Sequence, residues 1–251
     1  MKIADGVDAL ELTNTRMSPA SVIHPTLIWD DNTVVLVDTG FPGQLQDIRA
    51  AMDKAGVPFS KLSKIILTHQ DLDHIGGLPE LLRESDHKIE VLAHVGDKPF
   101  IEGDQPLLKM KGIERMLENL PEEQRKQAAA LFGQRHLAGA PPKNKVDRTV
   151  ADGEKLPYCG GITVIFTPGH TPGHICLYLE RSKTLVSGDA LVAAEGQLHG
   201  PRPQATPDMD TAMKSLQKLT RYDIDTVICY HGGVYQDHAN QRIAELASGR
   251  E

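Results

Sequence analysis

Four side chains able to hold a metal ion fall between positions 69 and 74: His69, Asp71, Asp73 and His74, in the run Thr68-His69-Gln70-Asp71-Leu72-Asp73-His74. Imidazole and carboxylate are the ligands of zinc and its neighbours, and an ion held by them can ionise water or polarise an oxygen. In an extended segment residues two apart share a face, so His69 and Asp71 can reach one ion. If the chain then turns into a helix, Asp73 and His74 swing toward a second. A solvated polar loop is the competing reading. It loses weight because three later segments offer similar groups: Thr167-Pro168-Gly169-His170-Thr171-Pro172-Gly173-His174, Ser187-Gly188-Asp189-Ala190 and Tyr230-His231-Gly232-Gly233. Each sets a His or Asp beside glycine, which lets backbone come close to an ion.

Side chains so far apart in sequence need rigid elements to bring them together. Ile65-Ile66-Leu67 is short and apolar, so it reads as a buried strand ending at the first cluster. Strands are also expected at 162–166, 184–186 and 226–229, each leading into one of the later segments. Further strands are read at 21–28, 33–38, 89–93 and 175–179, with Asp30-Asp31-Asn32 as a hairpin turn between the first two. Helical spacing predicts helices over 44–55, 77–85, 207–219 and 237–246. Strands thus come in two blocks, each with its own helices, which suits two packed sheets with helices outside. The stretch 95–150 differs. Leu107, Leu108, Met110, Ile113, Met116, Leu117 and Leu120 recur at helical spacing, and Pro121 opens another helix through Phe132. It reads as a helical insertion in a single domain spanning 1–251, placed to cap a substrate pocket; an ordinary core face is compatible with the same pattern.

Composition narrows the partners. The net charge is −7 over 251 residues, which disfavours nucleic acid. No basic run is concentrated, though Lys109, Lys111 and Arg115 lie close together. No apolar run is long enough to span a bilayer, and the N-terminal residues lack a signal-peptide core. Cys159, Cys176 and Cys229 are widely spaced and odd in number, so they read as buried thiols in a reducing compartment. A cytoplasmic protein with a small-molecule substrate, no nucleic acid and no membrane is the expectation, and the apolar insertion could support a homodimer. His24, His87, His94, His136 and His238 have no second candidate ligand at useful spacing and read as structural or surface groups.

Taken in order, Val37-Asp38-Thr39-Gly40, the 68–77 cluster, Thr-Pro-Gly-His at 167–170, Gly188-Asp189 and His231-Gly232 resemble the metallo-β-lactamase superfamily across nearly the whole chain. The resemblance implies an α/β fold, a four-layer αββα sandwich with a two-metal site at one edge of its sheets. Carried over residue by residue, it implies one ion held by His69, Asp71 and His170. A second would be held by Asp73, His74 and His231, with Asp189 bridging both. Asp38 would be the structural aspartate beside the site, and His174 a supporting group rather than a ligand. Position 71 departs from the family's His-x-His-x-Asp-His pattern: Asp stands where His is usual. Carboxylate still binds zinc, but harder oxygen ligation raises the claim of manganese or iron. Zinc stays ahead, in a centre expected to be a weaker Lewis acid than an all-imidazole one.

The implied chemistry is hydrolysis. Two ions about 3.5–4 Å apart share a water and bring its pKa toward neutrality, giving a bridging hydroxide that attacks an ester, lactone or thioester carbonyl. Asp73 would orient that nucleophile and help move its proton. Within the family the chain looks like the lactonase-like and uncharacterised hydrolase branches. The alternatives are a phosphodiesterase on the same scaffold and a mononuclear iron oxidoreductase resembling sulfur dioxygenases. Substrate choice would fall to the insertion and to the stretch 195–207, where His199 and Arg202 could meet an anion; a solvated loop explains that stretch equally well.

Overall fold

The computed structural model describes residues 1–14, 21–109, 122 and 144–250. The N-terminal half supplies strands β1 (Lys2–Ala4), β2 (Val7–Ala9), β3 (Leu12–Asn14), β4 (Ser21–Ile23), β5 (Thr26–Trp29), β6 (Val34–Val37), β7 (Leu62–Ile66), β8 (Glu90–His94) and β9 (Arg148–Val150). β3 and β4 pair as a separate hairpin, and the others form a seven-stranded sheet in the order β1-β2-β5-β6-β7-β8-β9. The C-terminal half supplies β10 (Lys155–Leu156), β11 (Ile162–Phe166), β12 (Ile175–Leu179), β13 (Thr184–Val186), β14 (Val192–Ala194), β15 (Gln197–His199), β16 (Thr226–Cys229) and β17 (Gly233–Tyr235). Of these, β14 and β15 form a hairpin, and the rest a six-stranded sheet ordered β10-β11-β12-β13-β16-β17.

Alternation along the strands builds the layers, because successive side chains leave opposite faces. Val35 and Val37 of β6, Ile66 of β7 and Leu92 of β8 meet Ile162, Val164, Ile175 and Leu177 of β11 and β12 in a cluster between the sheets. Their neighbours Leu36, Ile65, Val91 and Ala93 face outward. They pack under Ile48 and Met52 of α1 (Leu45–Lys54) and Leu78 and Leu81 beyond it. This half also contributes α2 (Leu72–Ile75), α3 (Leu78–Glu84) and α4 (Lys98–Ile101). On the far side Cys176, Leu185 and Val227 pack against Leu216 and Leu219 of α5 (Met209–Leu219) and Ile243 and Leu246 of α6 (Ala239–Ala247). The order of layers is αββα, as expected.

The single strand expected over 21–28 is instead two. His24-Pro25 separates β4 from β5, and proline has no N–H to donate into a ladder. The chain uses this break to pass from the β3–β4 hairpin into the large sheet. The expected Asp30 turn forms: Asp30 Oδ1 accepts from the Asn32 and Thr33 amides, both at 2.8 Å. The stretch 95–150 is shorter than expected at its C-terminal end, because Arg148–Val150 pairs parallel with β8 as an edge strand. The helices expected from 107 to 132 lie almost wholly outside the described residues. Among the described residues no helix is long and apolar enough to cross a membrane.

Candidate metal centre

Strand direction explains why scattered residues meet. β7 runs parallel to β6 and β8. In the other sheet β11 and β13 each pair antiparallel with β12, so they run the same way as each other, and β16 is parallel to β13. The candidate ligands follow the C-terminal ends of β7, β11, β13 and β16. A backbone bond from Ile175 N to Thr68 O, at 3.0 Å, ties the two sheets together at this edge.

All seven candidate side chains converge there, in two groups. His69, Asp71, His170 and Asp189 form one, and Asp73, His74 and His231 the other; within each group the potential ligand atoms lie within 4.8 Å of one another. In the first, Asp71 Oδ2 is 3.2 Å from His69 Nε2 and 3.0 Å from His170 Nε2. In the second, Asp73 Oδ2 is 3.2 Å from His231 Nε2 and 3.7 Å from His74 Nε2. Asp189 spans them. Its Oδ2 is 3.3 Å from His170 Nε2, while its Oδ1 is 3.2 Å from His74 Nε2 and 3.5 Å from His231 Nε2. The helix foreseen for the second pair is α2, whose single turn carries Asp73 and His74 away from Asp71.

The supporting bonds leave these atoms wanting a cation. Asp38 accepts from the Thr68 amide at 2.8 Å, from Thr68 Oγ1 at 2.7 Å and from His74 Nδ1 at 2.8 Å. A carboxylate can only accept, so it takes the Nδ1 proton of His74 and leaves Nε2 a bare lone pair. That Nε2 and Asp189 Oδ1 are both buried without a hydrogen-bond partner. Two lone pairs facing each other in a low-dielectric site repel unless a positive charge lies between them. His69 Nδ1 is 3.0 Å from Thr68 Oγ1 and His170 Nδ1 is 3.2 Å from Thr206 Oγ1, so these rings too present Nε2 to the carboxylates. The residues present therefore fit a divalent ion in each group, a harder donor set than four imidazoles.

Electrostatics carry the same message. Burial opposes the imidazolium of His231, yet the adjoining Asp189 and Asp73 carboxylates raise it to about 9. Burial likewise opposes His74, and Asp38, Asp73 and Asp189 outweigh it to raise that ring well above its usual range. For Asp189 burial acts upward, but His74 and His231 hold it well below the usual carboxylate range. The carboxylates thus stay ionised, and the raised rings record how strongly they draw positive charge to this edge: a proton on His74 and His231, which a divalent ion there would displace.

Further residues support the candidate ligands. Tyr230 stacks on His74 with ring centroids 3.7 Å apart, and its hydroxyl donates to the Asp73 carbonyl. His174 is turned from the candidate ligands as expected: its Nε2 accepts from the Asp189 amide at 3.1 Å and its Nδ1 lies 2.8 Å from Thr167 Oγ1. Gly188 sits at φ +50, and a Cβ there would stand 2.7 Å from His174 Nε2, so this turn suits glycine. Lys109, noted in the sequence only as part of a basic grouping, places Nζ against Asp71 Oδ2 and 2.9 Å from His170 Nε2. Of the other histidines, His94 stacks on Phe166, His24 approaches the Tyr230 carbonyl, and His87 and His238 lie away from the centre; His136 is outside the described residues. His199 and Arg202 are exposed, and it is Thr206 that reaches the site. The three cysteines are free and buried.

Asp97 is the least expected of these groups. Fully buried, it accepts from the Gln70 amide at 2.9 Å, Gln70 Nε2 at 3.3 Å, Thr171 Oγ1 at 2.7 Å and the Gly173 amide at 2.7 Å. It thus clamps the loop bearing His69 and Asp71 to the loop bearing His170. Asp97→Ala strands these buried donors, and denaturant unfolding is expected to show a loss of about 3 kcal/mol or more.

Comparison with known proteins bears on this architecture. The family model described as the metallo-beta-lactamase superfamily matches residues 20–231. A probable metallo-hydrolase, YflN of Bacillus subtilis, is 29% identical over 232 residues, covering 85% of this chain and 80% of its own. A hydroxyacylglutathione hydrolase of Rhizobium meliloti is 38% identical over 102 residues, 38% of this chain and 37% of its own. Among solved structures, the metallo-beta-lactamase family protein TTHA1429 from Thermus thermophilus superposes with a TM-score of 0.71 at 22% identity, covering 99% of this chain and 80% of that one.

Proposed function

Because the chain belongs to the metallo-beta-lactamase superfamily, we propose that it is a dinuclear metal-dependent hydrolase of small esters, lactones or thioesters. The observation that carries this reading is the two-sided placement of Asp189, one oxygen toward each group of candidate ligands. The first ion is assigned to His69, Asp71 and His170, the second to Asp73, His74 and His231, with Asp189 shared. Zinc is the first choice, with manganese and iron next because Asp71 adds an oxygen donor. When bound, such a pair supplies an ionised water and a polarised substrate oxygen.

The chain's own residues do the rest. Asp38 fixes the His74 tautomer, and His174 holds Asp189 through its backbone amide. Asp73 lies at the more open side, with 20% of its side chain accessible, where it can orient a nucleophilic water and accept its proton. No serine or cysteine nucleophile is required, and burial pushes the Cys176 and Cys229 thiols up to about 12, away from thiolate chemistry. The likeness to a probable metallo-hydrolase supports a hydrolase. The shorter likeness to a hydroxyacylglutathione hydrolase puts thioesters among the substrates to try. The chain is read as a single-domain enzyme acting on small molecules.

The test is a panel of ester, lactone, thioester and phosphoester substrates, run on metal-loaded protein with metal analysis alongside. Hydrolysis of a carbonyl substrate with about two zinc ions per chain is expected. Preferential turnover of phosphoesters would move the assignment to a phosphodiesterase. One iron per chain with oxygen uptake would replace it with an oxidoreductase.

A further inference from the structure

The ammonium of Lys109 stands where no sequence pattern placed it. Its Nζ contacts Asp71 Oδ2 and lies 2.9 Å from His170 Nε2, the two atoms that an ion in the first group would also bind. Neither of these partners belongs to the second group of Asp73, His74 and His231. The backbone beside it is tied down: Leu108 N donates to Gln70 Oε1 at 2.9 Å, and Gln70, between His69 and Asp71, is itself bound to Asp97. The side chain of Lys109 remains 35% accessible, so it has a path to solvent while its backbone stays docked. Asp71 is also the position where this chain carries an extra negative charge, and Lys109 is the positive charge set against it.

Resting on the metal-centre reading above, we propose that Lys109 is a resident competitor for the first ion. The single Nε2 lone pair of His170 cannot serve an ammonium and a divalent cation together, and two positive charges repel across the shared Asp71 oxygen. Binding at His69, Asp71 and His170 therefore requires the lysine to swing outward, and the cost appears as weaker affinity at that site alone. The two sites become unequal: the second fills first, and the first fills only at higher metal concentration. A lysine serving merely to dock its segment predicts the opposite sign, since its removal would loosen Asp71 and weaken the ion.

The experiment is a zinc titration of the full chain against a chromophoric chelator, comparing the wild type with Lys109→Met and Lys109→Arg. Methionine keeps the length of the stem and removes the charge; arginine keeps the charge. The wild type is expected to show two binding steps of different affinity. In Lys109→Met the weaker step should strengthen about tenfold or more, the scale of removing one close like charge, while the tighter step stays put. Lys109→Arg should behave like the wild type. A weaker step that is unchanged or weakened in Lys109→Met, or an equal shift of both steps, overturns the proposal while leaving the metal centre standing. Failure of both wild type and variants to bind zinc overturns it together with the metal-centre reading.

Discussion

Asp189→Ala is expected to lose at least one metal ion per chain and to lower hydrolysis by at least about a hundredfold. Removing a residue that merely supports a ligand costs about 10–100-fold, and Asp189 offers an oxygen to both groups of candidate ligands. The substitution is also a clean one. Asp189 is held in place through its backbone amide, which donates to His174 Nε2, so alanine keeps the loop anchored and deletes only the carboxylate. Turnover on the best substrate of the panel and metal content by elemental analysis read the effect. Full retention of both ions and of activity would mean that the reaction takes place elsewhere on the molecule.

Stripping the metal by prolonged chelation should abolish turnover and lower the unfolding temperature by about 10 °C. An ion present at a thousand times its dissociation constant stabilises a folded chain by about 4 kcal/mol, and for a chain of this size each kcal/mol moves the midpoint by about 2–4 °C. The physical origin lies in the carboxylates of Asp71, Asp73 and Asp189, which crowd one edge of the sandwich. A divalent cation relieves their repulsion and satisfies His74 Nε2 and Asp189 Oδ1, both otherwise orphaned. Returning zinc should restore the midpoint and the activity together. Calorimetry with and without chelator checks the first, and an unchanged midpoint would argue that no ion is bound in the folded protein.

Much of the fold was legible because the strands obey a period of two and the outer helices a period of about four. Val34–Val37 shows why this works: its alternate residues serve two different cores, so the short apolar run reads as a strand buried on both faces. His24-Pro25 shows where it fails. The hydrophobic pattern runs on through 21–28, and only the missing proline N–H marks the change of sheet. The β14–β15 hairpin was likewise not anticipated, since its few residues are too short to display a period.

At the site, sequence alone singled out the candidate ligands that the fold brings together. Imidazole and carboxylate at strand ends beside glycine have few other uses, and their order along the chain is specific to one family. It also singled out Asp38 and His174 as supports. Three-dimensional structure decided which oxygen faces which group, that Asp97 joins the two ligand-bearing loops, that Tyr230 lies on His74, and that Lys109 enters the first group. The last three depend on contacts across 27 to 157 positions of chain. Local periodicity has no bearing on such pairs, because what brings them within reach is the packing of two sheets along a shared edge.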